Sequence, residues 1–203
     1  IWDDISIKLT LNSFMMSNIT IVDHEYDSAV QPSGITLLMK DHQLKMLHQC
    51  RRLEEGTFYS EYDKYLCSTK IGIIGNPVGS GKSLIIMAIM GSPLNDVSSL
   101  RHLTIGAIFY KVVNPRPSNV LVVPHTIFAQ WKNYIATQST LSVETIKTKK
   151  QLSNVDISTT NKDVILVSST MYNTFADIVN KSSYSFKRVI FDEADSINIP
   201  ACK

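Results

Sequence analysis

The chain reads as an α/β domain whose core is a mainly parallel β-sheet with helices on both faces. Three observations predict this. Short apolar runs recur at 119–123, 141–146, 163–167 and 188–191, alternating with segments that suit helices. The run Val120-Leu121-Val122-Val123 is continuously apolar, as a strand buried on both faces must be. A glycine-broken loop, Gly75 to Ser83, leads directly into the apolar segment Leu84 to Met90, the strand–loop–helix order of sheets that bind ligands at the carboxyl ends of their strands.

In chain order, Ile5-Ser6-Ile7-Lys8-Leu9-Thr10-Leu11 alternates strictly and Asn18 to Val22 is a second β-prone run, so a hairpin or two edge strands are expected there. Asp23 to Gly34 is polar, contains Pro32-Ser33-Gly34 and reads as a linker. A boundary is therefore expected near residue 35, separating a small N-terminal β-rich extension or the end of an upstream domain (1–35) from the main domain (36–203). Met39, Met46, Cys50 and Leu53 fall on one stripe of a helix that Gly56 would cap. Residues 57–69 form a polar, Tyr-rich connection to an apolar strand that enters the glycine loop. Residues 91–118 carry Gly91, Pro93, Pro115 and Pro117 around the apolar stretch 105–113, which predicts an insertion with one extra strand. Then come a strand over 119–124, a helix over 126–136 with Trp131 as a core residue, a strand over 141–146 and a charged turn at 147–150. A strand at 163–167, a helix at 170–179 and a strand at 188–191 complete the series, the last ending in Asp192-Glu193-Ala194-Asp195.

Composition narrows the function classes. At 203 residues and 44% hydrophobic content, the chain suits one good core with an appendage. Twenty Lys and Arg against eighteen Asp and Glu leave a net charge of +2, so nucleic-acid binding would need a local surface and not a global field. Cys50, Cys67 and Cys202 are odd in number and show no CxxC spacing, against a disulfide framework or a zinc site. They read as reduced thiols of an intracellular protein, which makes the acceptor patterns Asn18-Ile19-Thr20 and Asn180-Lys181-Ser182 accidental. No apolar run approaches membrane-spanning length and no signal peptide is visible. A start on Ile1 suggests a piece of a longer polypeptide.

The chemistry concentrates in two stretches. In Gly75 to Ser83, glycines at Gly79 and Gly81 let backbone amides approach phosphate oxygens, Lys82 can reach the β and γ phosphates, and the Ser83 hydroxyl can ligate Mg²⁺. The first position of the pattern G-x-x-x-x-G-K-[ST] falls on Asn76, a residue that tolerates left-handed backbone angles. A Gly/Ser-rich surface turn containing a lysine is the plain alternative, but the apolar helix that follows speaks against it. The second stretch, Val189 to Asp195, delivers Asp192 to the sheet's carboxyl edge, where its carboxylate can hold Mg²⁺ through a water, and Glu193 beside it to orient or deprotonate the attacking water. Alone, a strand ending in acidic residues is a weak signal, and its specificity comes from the pairing with the loop.

Those two stretches resemble the Walker A and Walker B (DEAD) motifs of superfamily 2 helicases and translocases, a family built on two RecA-like domains. Met39-Lys40-Asp41-His42-Gln43-Leu44 resembles the L-R-P-H-Q-L segment of SWI/SNF-type ATPases, with Asp41 in place of proline. Val120 to Trp131 resembles their motif Ia, and Val164 to Tyr172 the following strand with T-T-Y, here spread over Ser168-Ser169-Thr170-Met171-Tyr172. The likeness spans Leu37 to about Ile199, and its compact style is similar to helicase-like ATPases of large DNA viruses.

The resemblance implies a first RecA-like P-loop NTPase domain, cut shortly after the DEAD box. ATP would lie on Asn76, Pro77, Val78, Gly79, Ser80, Gly81, Lys82, Ser83 and Leu84, with Mg²⁺ between Ser83 and Asp192 and catalysis by Lys82, Asp192 and Glu193. Gln43 would read adenine; as a residue it is equally a solvated helix position. Pro124, His125, Thr126, Ser169 and Thr170 would meet nucleic acid, double-stranded DNA before RNA, although Pro124-His125-Thr126 also suits a strand exit and helix N-cap. A second RecA-like domain would complete the site, so this piece alone is expected to bind nucleotide weakly and hydrolyse it poorly. An alternative of another class is a helicase-like interaction subunit of a viral transcription or restriction complex, docking on DNA or a polymerase. A small-molecule kinase is disfavoured by the DEAD and motif Ia-like stretches. The compartment expected is intracellular, in cytoplasm or nucleus, or in a virion or viral factory.

Overall fold

A computed structural model describes residues 27–55, 57–60, 65–68, 72–93, 114–182 and 184–197. The strands expected at 5–11 and 18–22, the extra strand at 105–113 and the Gly56 cap lie outside these residues.

Helix α1 (Asp41–Glu55) is followed by β1 (Thr57–Ser60), β2 (Tyr65–Ser68), α2 (Lys82–Gly91), β3 (Asn114–Val123), α3 (Phe128–Gln138) and β4 (Val143–Ile146). Then come α4 (Lys149–Asn154), β5 (Val164–Ser168), α5 (Ser169–Ser182), β6 (Tyr184–Phe191) and a 3₁₀ turn, Ala194–Ser196. Strands β4-β5-β3-β6 form one four-stranded sheet in that order, all parallel. The fold is therefore the α/β arrangement that the alternating runs predict.

Side-chain alternation splits the core into two layers. Leu121, Val123, Val164 and Leu166 join one cluster with Leu84 to Met90 of α2, Phe128, Trp131 and Ile135 of α3, and Leu47 of α1. Val120, Val122, Ile165 and Val167 join the other with Leu152 of α4 and Phe175 of α5. Right-handed crossovers dictate this split. The chain moves from β3 across β5 to the edge strand β4 through α3, then returns to β5 and on to β6 through α4 and α5. Reversal of direction puts α3 on the opposite face from α4 and α5.

Polar anchors orient the helix that follows the glycine loop on this sheet. Asn119, fully buried at the start of the apolar part of β3, donates its amide to Met90 O at the end of α2 (3.0 Å) and to Asp163 O (2.9 Å). Helix α2 thus ends over the beginning of that strand segment and runs back along it. Ten residues of helix span about 15 Å, about the length of Asn119 to Val123 in strand, so Lys82 lies toward the sheet's carboxyl edge. Arg188, opposite Asn119 in β6, pairs with Glu54 of α1 (Nη2 to Oε2, 2.7 Å) and donates to Ser92 O (3.2 Å). Lys187 also donates to Ser92 O, and burial followed by the Arg188 charge pushes its ammonium below the ordinary value.

Several expectations need correction. The 57–69 connection holds an antiparallel hairpin, with Thr57 opposite Ser68 and Ser60 opposite Tyr65; four-residue strands are too short to show a period. The strand expected to enter the glycine loop is not one at 72–77, where no regular pairing forms and Ile73 is 91% exposed. Strand β3 begins at Asn114, not 119. Pro115 and Pro117 are tolerated because that part pairs with β6 alone and the register shifts between Arg116 and Asn119. The charged turn at 147–150 is the start of α4, capped reciprocally by Thr148 and Gln151. Within the expected linker, Ala29 is buried in the first cluster, as is Ile35 just after it, and Gln31 bonds Leu37 O (2.9 Å) and Met39 N (3.0 Å).

Candidate functional site

The glycine loop takes its shape from two left-handed residues. Gly79 (φ 83°) and Gly81 (φ 80°) occupy backbone space that costs side-chain-bearing residues. Asn76 does not use the left-handed region, so its tolerance there is not what suits it to the position. Its carbonyl, with that of Pro77, instead accepts from Lys82 Nζ (2.9 and 3.0 Å). Val78 is 99% exposed at the loop's crest, whereas Leu84 is buried at its base. Among the described residues, the amides of Gly81, Lys82 and Ser83 meet no backbone acceptor, as at any helix start, and the Ser80 hydroxyl is buried without a partner. Unsatisfied donors at a helix N-terminus are a cradle for an anion.

Gln43 is not the solvated helix residue of the plain reading. It is buried, its Oε1 accepting from Lys40 N (2.9 Å) and its Nε2 donating to Ser80 O (3.3 Å). His42 Nε2 lies 3.1 Å from the same carbonyl. Helix α1 therefore grips the loop at Ser80.

Three strand ends meet at the carboxyl edge. Strand β6 delivers Asp192, whose amide continues the ladder to Val122 O (3.0 Å). Glu193 follows at φ 49°, ψ 52°, the one side-chain-bearing residue with positive φ among those described, and its carboxylate end is exposed. Strained backbone of this kind clusters at functional positions. Strands β3 and β5 are paired neighbours with Val123 opposite Ser168, so Pro124, His125 and Thr126 come beside Ser169 and Thr170. His125 Nδ1 lies 3.2 Å from Ser168 Oγ, which lies 3.0 Å from Thr170 Oγ1. Thr126 is not a helix cap: Ile127 holds that place and makes no side-chain cap, while Ile127 N closes a turn on Pro124 O (3.2 Å).

Trp131 is buried, as expected of a core residue, but its indole N–H donates to Asp192 Oδ2 at 2.7 Å. Sequence pattern missed this, because apolar spacing marks the indole's body and carries no trace of its polar tip. Arg188 was missed likewise, standing at the head of an apolar strand run. Among the described residues no group of three His, Cys, Asp or Glu side chains could hold a metal by itself, and no helix is long and apolar enough to cross a membrane.

No protein-family model matches the chain, and no curated protein does. Among solved structures, the chain is similar to the Sulfolobus solfataricus SWI2/SNF2 ATPase core in complex with dsDNA, at 11% identity and a TM-score of 0.46. The match covers 81% of this chain and 34% of that one, so the chain spans about a third of its length.

Proposed function

We propose that this chain is the ATP-binding half of a nucleic-acid-dependent ATPase of the superfamily 2 helicase or translocase kind. The observation that carries the reading is a glycine loop and helix N-terminus directed to the sheet edge where β6 presents Asp192 and Glu193. In this reading residues 36–203 are the first of two RecA-like domains and 1–35 precede it.

The residues fit ATP and Mg²⁺. Within the stretch Asn76 to Leu84, the amides of Gly81, Lys82 and Ser83 receive phosphate oxygens, and Lys82 Nζ exchanges the carbonyls of Asn76 and Pro77 for the β and γ phosphates. Ser83 and Asp192 would hold the magnesium, which when bound neutralises charge on those phosphates. Glu193 takes the proton of the attacking water and orients it. Gln43, already bonded to the loop, contacts adenine from α1. The exposed Thr126 and Thr170 hydroxyls with His125 and Ser169, on adjacent strand ends, contact the backbone of double-stranded DNA. A second RecA-like domain supplies the remaining charge stabilisation, so hydrolysis by this chain alone is slow.

Titration of labelled ATP against wild type and Lys82→Ala tests the proposal. Binding that falls at least tenfold in Lys82→Ala supports it; binding that is absent, or indifferent to Lys82, overturns it and favours a docking module. Nucleic-acid-stimulated turnover near that of a complete motor, by this chain alone, would remove the need for a second domain.

A further inference from the structure

Trp131 stands in the first turn of α3, on the sheet face that also carries α2, and is 1% exposed. An indole N–H can only donate, and a buried one requires an acceptor. The acceptor here is a carboxylate oxygen of the residue that ends β6, at 2.7 Å, the length of a charge-assisted bond. Among the described residues the other oxygen, Oδ1, has no hydrogen-bond partner, and the Asp192 amide is tied to Val122 O (3.0 Å). Backbone and one carboxylate oxygen are therefore both fixed, and one oxygen is left over.

We propose that Trp131 is a positioning residue for Asp192, its indole N–H holding the carboxylate so that Oδ1 is the oxygen presented to the magnesium of the nucleotide. This rests on the nucleotide reading above. The arrangement matches the general need of metal-binding carboxylates for a second hydrogen bond that fixes their orientation. Trp131 also ties that carboxylate to the strand exit before α3, because its own amide bonds Ile127 O (3.0 Å) and Ile127 N bonds Pro124 O (3.2 Å).

Two measurements test it. In the chain labelled with ¹⁵N-indole, which has two tryptophans, Asp192→Ala should move the Trp131 N–H proton resonance upfield by several tenths of a ppm and leave that of Trp2 in place. In Trp131→Phe, which keeps most of the buried volume, the Mg²⁺ concentration for half-maximal metal-dependent ADP binding should rise about tenfold or more. ADP affinity in EDTA should stay within twofold. A purely structural tryptophan would weaken both bindings together or neither. A Trp131 resonance unmoved by Asp192→Ala, or a magnesium requirement within twofold of wild type, overturns the proposal. If Trp131→Phe fails to fold, the indole resonance still tests the Trp131–Asp192 bond on which the proposal stands; it needs no nucleotide, so loss of that bond is distinguishable from a failure of Lys82-dependent ATP binding.

Discussion

A Cβ added at Gly81 would collide with Nε2 of Gln43, so the α1 side chain and the glycine loop are in close contact at this point. Gly81→Ala carries two costs: the left-handed backbone, about 1–2 kcal/mol, and displacement of the Gln43 amide from Ser80 O. Thermal unfolding of Gly81→Ala, Gln43→Ala and the double variant separates them. The double variant should be more stable than the sum of the single losses predicts, because the collision is gone while the backbone cost remains. Strict additivity would show that the contact does not matter.

Glu193 holds its left-handed conformation with a side chain that pays for it. Glu193→Gly should leave stability unchanged or raise it by up to about 1 kcal/mol, whereas Glu193→Val should lower it by about 1–2 kcal/mol. Both should lose ATP hydrolysis by about a hundredfold or more, if turnover is measured with any missing domain supplied. A stable Glu193→Val chain would mean the turn relaxes easily.

Arg188 is held by Glu54, Ser92 O and Asn119 Oδ1. Truncation of Arg188 to Ala leaves Glu54 without its cation and the end of α2 with Lys187 alone, and should cost about 1–3 kcal/mol in denaturant unfolding. Arg188→Met with Glu54→Gln should cost less than Arg188→Met alone, since no charge is then stranded. Equal costs would mean that Glu54 is satisfied by solvent.

Cys50 is half-buried on α1, and burial followed by the nearby Glu54 charge raises its thiol above the ordinary value of 9.0. On unfolding, the thiol ionises more readily, so the unfolded chain binds fewer protons in this range and stability falls as pH rises above about 9 toward the folded-state value. Lys187 acts with the opposite sign: its lowered ammonium makes stability rise with pH below its ordinary 10.5. Cys50→Ala should therefore turn an alkaline decline in melting temperature into a flat or rising limb. Alkylation of Cys50 in the folded chain near neutral pH should be slow.

The parallel sheet was legible because strands buried on both faces must be apolar throughout, and 120–123 and 164–167 are so. The loop was legible because left-handed backbone turns demand glycine, and Gly79 and Gly81 are the two glycines with positive φ among the described residues. What escaped is what depends on partners distant in sequence. Nothing local in Thr57–Ser60 or Tyr65–Ser68 marks a hairpin; each is a strand only against the other. The apolar lead-in to the loop shows the converse, a strand-like composition over 72–74 without a strand. Trp131 and Asp192 stand 61 positions apart, and neither residue type names the other as partner.

Helix α2 bears no charged side chain after Lys82, yet two cations from β6, one of them buried, converge on the carbonyl of the residue just past its end. Its peptide dipole is thus counterbalanced at the rear by fixed charge and left uncompensated at the front. Of the rear charges, that of Arg188 is shielded from counter-ions by burial. The polarity of the helix is built into the fold, and an anion at its amino end meets a field that bulk salt weakens only where that end opens to water.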